Sequence, residues 1–139
     1  MQFGLSEEQV LLQDNVNRFL TDNESLETDR KYAEGGSDKE IWQGLAELGI
    51  PALLLPEDQG GLGMTPMDAA ITAEAIGYHV APTPFLGSAI MGPVALSKSS
   101  GDYSELLGQI IEGKTRIGVA FGESVGNRND ARVSVENGK

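Results

Sequence analysis

Apolar residues recur at three- and four-residue intervals along most of the chain and at two-residue intervals only towards its C-terminal end. That pattern predicts a mainly α protein with a short β segment at the C-terminal end. The first helix is expected over about Glu7 to Leu20, with Leu12, Val16, Phe19 and Leu20 on one apolar stripe. Ser6-Glu7-Glu8-Gln9 reads as a capping box, and Leu5 and Val10 stand where a hydrophobic staple would form. Thr21 to Gly36 is polar and is expected to hold a short helix or an irregular turn before Gly35-Gly36.

A second helix opens on another capping-box pattern, Ser37-Asp38-Lys39-Glu40, and carries Ile41, Leu45 and Leu48 on one face with Trp42 beside them. It should stop at Gly49, because glycine accepts the left-handed position after a helix and Pro51 cannot continue one. Leu53, Leu54 and Leu55 then read as buried, extended chain. Pro56-Glu57-Asp58 begins a turn, and Gly60, Gly61 and Gly63 imply a corner passing close to another backbone or a ligand.

Thr65-Pro66 is a helix start, and Met67, Ala70, Ile71 and Glu74 mark a third helix ending near Gly77. Tyr78 to Pro82 connects it to a fourth, begun by Thr83-Pro84 and apolar almost all round through Phe85, Leu86, Ala89, Ile90, Met91, Val94 and Leu96. Such a helix is buried on most sides, and Pro93 in its interior should kink it. A fifth helix runs from Asp102 to Gly113. Beyond it the period changes: Thr115 to Phe121 reads as a strand, and Arg132 to Glu136 alternates again before the hairpin signal Asn137-Gly138. Residues 1–113 therefore read as a helical domain and 114–139 as the beginning of a β domain.

Composition narrows the function classes. The chain has 139 residues, is 40% hydrophobic and 22% charged, and is ordinary for a globular domain with a core. Its net charge of −11, without a Lys/Arg cluster, argues against nucleic acid and against an anionic membrane surface. The absence of a signal-like or spanning apolar segment points to a cytoplasmic protein. With no cysteine and a single histidine, no disulfide and no metal site is expected. His79 has no nucleophile arrangement around it, Glu57-Asp58 suit local turn bonding, and the Gly60-Gly61-Leu62-Gly63 corner lacks the context of a dinucleotide loop.

The run from Trp42 through Gly63, with Leu45-Ala46-Glu47-Leu48-Gly49 ahead of the Pro-Glu-Asp-Gln-Gly-Gly corner, resembles the N-terminal helical domain of the acyl-CoA dehydrogenases. The family shows a similar LAELG helix end and a PEEYGG-like corner. The Ser6-Glu7-Glu8-Gln9 opening, the Thr65-Pro66 start, Ala81-Pro82 and Glu112-Gly113-Lys114 follow in the same order, so the resemblance covers nearly the whole chain.

The resemblance implies an FAD-dependent enzyme that removes the α-proton and β-hydride of an acyl-CoA thioester. The catalytic base is expected beyond residue 139, so no catalytic residue is assigned here, and this stretch alone is expected to be inactive. Carried over by position, Ala81, Pro82, Phe85 and Ala89 would face the acyl tail, although the residues by themselves read as plain core. The segment Gly118 to Glu123 matches the family's first β strand, where backbone groups meet the flavin, which assigns Val119, Phe121 and Gly122 to the cofactor. Gly122 and Ser124 replace a threonine and a proline of the family pattern, so backbone donors alone remain. Arg128 lies in Gly126-Asn127-Arg128-Asn129-Asp130, which replaces the family's Gly-Ser-Asp at the pantetheine arm. An electron-transfer flavoprotein or similar acceptor and a homo- or hetero-oligomer follow as expected partners. The alternative is a non-catalytic subunit, or a helical interaction module, of an acyl-CoA dehydrogenase-like assembly.

Overall fold

The structure is a computed structural model that describes residues 4–23 and 26–120. Six α-helices occur among them: α1 (Glu7–Asn23), α2 (Leu26–Ala33), α3 (Lys39–Glu47), α4 (Pro66–Tyr78), α5 (Gly92–Ser97) and α6 (Ser104–Ile111). A π-helical stretch, Leu86–Met91, runs directly into α5, and short 3₁₀ turns occupy Ile50–Ala52 and Glu57–Gln59. No strand occurs among the described residues. The segment after α6, expected as a strand, has no regular structure up to Ala120, because no second strand lies beside it there. The pattern at Arg132 to Gly138 lies outside the described residues.

Helix α1 packs along α4 and against α3. The core draws Val16 and Leu20 from α1, Ile41, Trp42 and Leu45 from α3, Ile50 and Leu53 from the turn, Ala75 and Ile76 from α4, and Ala81, Phe85 and Ala89 from the following segment. Ser6 and Gln9 form the expected reciprocal cap: Ser6 N donates to Gln9 Oε1 at 3.0 Å and Gln9 N to Ser6 Oγ at 3.2 Å. Leu5 and Val10 stay largely exposed, at 38% and 43%.

Two faces differ from the sequence pattern. In α3, Trp42 and Ala46 join Ile41 and Leu45 in the core while Leu48 is exposed, so the buried face is turned towards Trp42, the largest side chain available to fill it. In α4, Met67, Ala70 and Glu74 point outward, and Asp68, Ala69, Ile71, Thr72, Ala75 and Ile76 are buried. Asp68 turns inward because it caps the helix, with Thr65 N and Oγ1 donating to its Oδ2 at 2.7 and 2.6 Å.

Helix α4 also runs past Gly77 to Tyr78 and closes with Ala81 N donating to Ile76 O (3.0 Å) and Val80 N to Gly77 O (3.1 Å). This is a Schellman closure, and the left-handed position normally given to glycine falls to Val80, at φ 55°. At the end of α3, by contrast, Gly49 takes the left-handed conformation as expected, at φ 81°.

The leucine run is a turn rather than extended chain: Leu53 has φ −47° and ψ −54°, continuing the 3₁₀ turn of Ile50–Ala52. Leu53 and Leu55 are fully buried and Leu54 half-buried. Residues 62–64 fold back onto this run, with Leu62 N donating to Ala52 O (2.9 Å), Gly63 N to Leu55 O (2.9 Å) and Met64 N to Leu53 O (2.8 Å). The glycine corner passes close to another backbone, as its composition implied, since a Cβ at Gly61 would coincide with the Leu55 carbonyl.

Candidate functional site: the π-helical stretch and the segment it holds

Pro93 has no N–H to give, which removes one helical donor. The structure answers by widening the turn before it into π register, with Gly92 N donating to Gly87 O, five residues back. Thr83, expected to cap this helix, does not: its Oγ1 is buried without a hydrogen-bond partner, and the first helical bond runs from Ser88 N to Pro84 O at 2.8 Å.

Ala81 (8% exposed), Phe85 (8%) and Ala89 (0%) all lie in the core, and Pro82 is half-buried. Leu86, on the same stretch, is 63% exposed. Val119 lies in the segment beyond α6, while Phe121, Gly122 and Arg128 lie outside the described residues.

The π-helical stretch meets that segment through a residue that the sequence pattern did not single out. Ser88 is fully buried; its hydroxyl donates to Ile117 O at 3.0 Å and accepts from Ile117 N at 2.9 Å. Both backbone groups of Ile117 are thereby satisfied by one side chain. The close approach is possible because Gly87 and Gly92 flank the contact: a Cβ at Gly87 would stand 2.6 Å from Ile117 O, and one at Gly92 would overlap the Ile117 side chain. The signal that could have revealed this contact is the small, polar Gly87-Ser88 pair inside an otherwise apolar helix.

A second tether lies one residue earlier. Arg116 Nη1 donates to Asp38 Oδ1 at 2.7 Å, at the start of α3. The capping box read at Ser37 to Glu40 is not the one observed: Asp38 takes the N-cap position with its side chain turned to Arg116, and Ser37 Oγ accepts from Lys39 N, two residues on, at 3.1 Å. The end of α6 is held to α3 as well, where Gln43 Nε2 donates to Glu112 O at 3.3 Å. Trp42, 1% exposed, sits beside Gly113 with its Nε1 buried and unpartnered.

Past Ile117, the backbone groups of Gly118, Val119 and Ala120 make no hydrogen bond among the described residues. All three residues are exposed, Val119 to 36%. His79 meets Tyr78 edge-on at 5.2 Å between ring centroids, and Glu57 and Asp58 are exposed in their 3₁₀ turn. No group of three or more His, Cys, Asp or Glu side chains that could hold a metal occurs among the described residues. No described helix is long and apolar enough to cross a membrane.

The family model for the acyl-CoA dehydrogenase N-terminal domain matches residues 6–113. The chain belongs to the acyl-CoA dehydrogenase family. Its helices form that family's N-terminal domain, and the mainly α fold read from the sequence is the one observed. Acyl-CoA dehydrogenase IpdE2 of Mycolicibacterium smegmatis is 36% identical over 96 residues, covering 67% of this chain and 31% of that protein. Acyl-CoA dehydrogenase IpdE2 of Mycobacterium tuberculosis is 33% identical over 75 residues, covering 53% of this chain and 24% of that protein. The chain thus spans between 24% and 31% of the length of these relatives.

Among solved structures, the ChsE4-ChsE5 complex from Mycobacterium tuberculosis shares the fold at a TM-score of 0.68 and 22% identity, over 82% of this chain and 30% of that one. The steroid ACAD Tcur3481-Tcur3483 matches at a TM-score of 0.67 and 27% identity, over 79% of this chain and 31% of that one.

Proposed function

We propose that this chain is the N-terminal part of an FAD-dependent acyl-CoA dehydrogenase that introduces an α,β double bond into an acyl-CoA thioester. The observation that carries the reading is the match of residues 6–113 to the family's N-terminal domain, on which the exposed backbone groups of Gly118 to Ala120 follow directly. These groups fit a flavin edge, which takes hydrogen bonds from backbone and needs no side chain at Val119. The chemistry that bound FAD supplies is acceptance of the β-hydride. Val119, Phe121 and Gly122 are assigned to the cofactor side, and Arg128 to the pantetheine arm.

On the acyl side, Pro82 and the exposed Leu86 offer apolar surface, with Ala81, Phe85 and Ala89 backing it from the core. Apolar side chains fixed by a packed core suit an acyl group, since they exclude water and discriminate by shape. The likeness to a steroid ACAD at 27% identity supports a bulky, polycyclic acyl group. We further propose a hetero-oligomer, by analogy with the ChsE4-ChsE5 complex, and an electron-transfer flavoprotein as acceptor.

A second reading, a subunit that folds like its relatives without turning over substrate, is favoured by one observation: Gly122 and Ser124 replace the threonine and proline of the family pattern. The visible absorbance of the purified full-length protein separates the two. Bound flavin that bleaches on anaerobic addition of steroid-side-chain or straight-chain acyl-CoA esters establishes the dehydrogenase and names its substrate class. A colourless protein that FAD cannot reconstitute establishes the non-catalytic subunit.

A further inference from the structure

We propose that Ser88 is a positioning residue for the flavin: its hydroxyl stands in for a neighbouring β strand and sets where Gly118 to Ala120 lie against the cofactor. The inference rests on the FAD-dependent reading above and concerns a residue that reading does not use.

A residue in a sheet satisfies its backbone by giving its N–H to, and taking an N–H from, the strand alongside. No strand lies alongside Ile117 among the described residues, yet both of its backbone groups are paired, at 2.9 and 3.0 Å, with the one Ser88 oxygen. A hydroxyl accepts and donates strongly at a single atom, which an amide, a carboxylate or an ammonium does not. The oxygen sits in a fully buried side chain, on a stretch whose π register departs from the ordinary helix, and between two glycines that admit the segment. Wide helical turns of this kind are concentrated at functional sites.

Gly118 to Ala120 follow directly on the clasped Ile117, and all three are exposed. Ser88 therefore fixes the origin from which the cofactor-facing residues extend, and it does so from the stretch that also carries Leu86 and Ala89. Through this hydroxyl, the helix proposed to bear the acyl group and the segment proposed to bear the flavin are a single unit.

The test uses the full-length protein and its Ser88→Ala and Ser88→Cys variants. Cysteine nearly preserves volume while its thiol is a weak donor and acceptor, so it reports on the hydrogen bonds should alanine fail to fold. Arg116→Gln serves as the comparison, because it loosens the same segment without touching Ile117. FAD affinity is measured by titration of the apoprotein, and the fine structure of the flavin absorption band is recorded at saturating FAD. The expected result is a loss of FAD affinity of about tenfold in the Ser88 variants, with an altered band shape and a smaller change in Arg116→Gln. Wild-type affinity and band shape in either folded Ser88 variant would overturn the proposal while leaving the FAD-dependent reading intact. A wild-type protein that takes up no FAD overturns both.

Discussion

Arg116 and Asp38, 78 positions apart in sequence, meet at 2.7 Å and join the segment after α6 to the start of α3. The Asp38 side chain is 9% exposed and that of Arg116 40%, so the pair is asymmetric. Removing the arginine leaves a buried carboxylate without its partner, whereas removing the aspartate leaves a guanidinium that water can still reach. Arg116→Ala should destabilise the protein by about 1.5 to 3 kcal/mol and Asp38→Ala by less. Urea titration of the two variants and of the double variant checks this; equal costs for the two single changes would count against the asymmetry.

Val80 holds the left-handed position of the Schellman closure at φ 55° while being 71% exposed. A β-branched residue is strained there, and its side chain contributes little to the core. Val80→Gly should therefore stabilise the protein by about 1 kcal/mol, against the usual direction for a glycine substitution. A thermal melt that moves upward is the expected reading.

Gly61→Ala should have the opposite sign and a larger size. Its new methyl group would meet the Leu55 carbonyl, which is fixed by the bond from Gly63 N. The turn must open, at a cost of about 2 kcal/mol or more, comparable to overpacking a core. Gly108→Ala in α6 is the matched control, because nothing lies within 4 Å of its added methyl group. That change should stabilise by about 0.5 to 1 kcal/mol.

The α4 cap predicts a pH dependence. Burial pushes the Asp68 carboxyl up, but the Thr65 hydroxyl and backbone N–H, with a further hydrogen bond from Gln9, hold it below its ordinary 3.8. A carboxyl depressed in the folded state binds its proton more readily once unfolded, so its contribution is complete above the unfolded pKa and is lost as pH falls through the folded one. Stability should drop below about pH 4, and Asp68→Asn should flatten that part of the curve. Midpoints of denaturation between pH 6 and pH 2 for both proteins test it.

Phe85 occupies the core at 8% exposure, and Leu86 beside it is 63% exposed. Phe85→Ala should cost about 3 to 5 kcal/mol and Leu86→Ala under about 0.5 kcal/mol. In the full-length enzyme, Leu86→Ala should nevertheless change the preference among acyl-CoA esters, read as a ratio of kcat/KM values. An unchanged ratio would remove Leu86 from the acyl wall.

The reach of the sequence followed the range of the interactions. Local devices were legible: the Ser6–Gln9 cap, the left-handed Gly49 and the Thr65-Pro66 start each depend on residues within a few positions. The helix faces of α3 and α4 were less so, because Trp42 and the inward-turned Asp68 shift which side is buried. Contacts across the fold left almost no trace. Ser88 looks like one small residue among apolar ones, and Asp38 reads as a spacer inside the Ser37-to-Glu40 pattern until Arg116 is seen beside it. The π register is a compromise between Pro93 and the packing around it, and three-residue periodicity does not encode it.

Trp42 gives the molecule a built-in optical probe. It is the chain's only tryptophan, and its indole lies in the joint between α3 and the glycine that follows α6. Intrinsic emission therefore reports on one place rather than on the average of many. A shift to longer wavelength without loss of helical circular dichroism would mean that the end of α6 has swung away from α3 while the bundle stays folded.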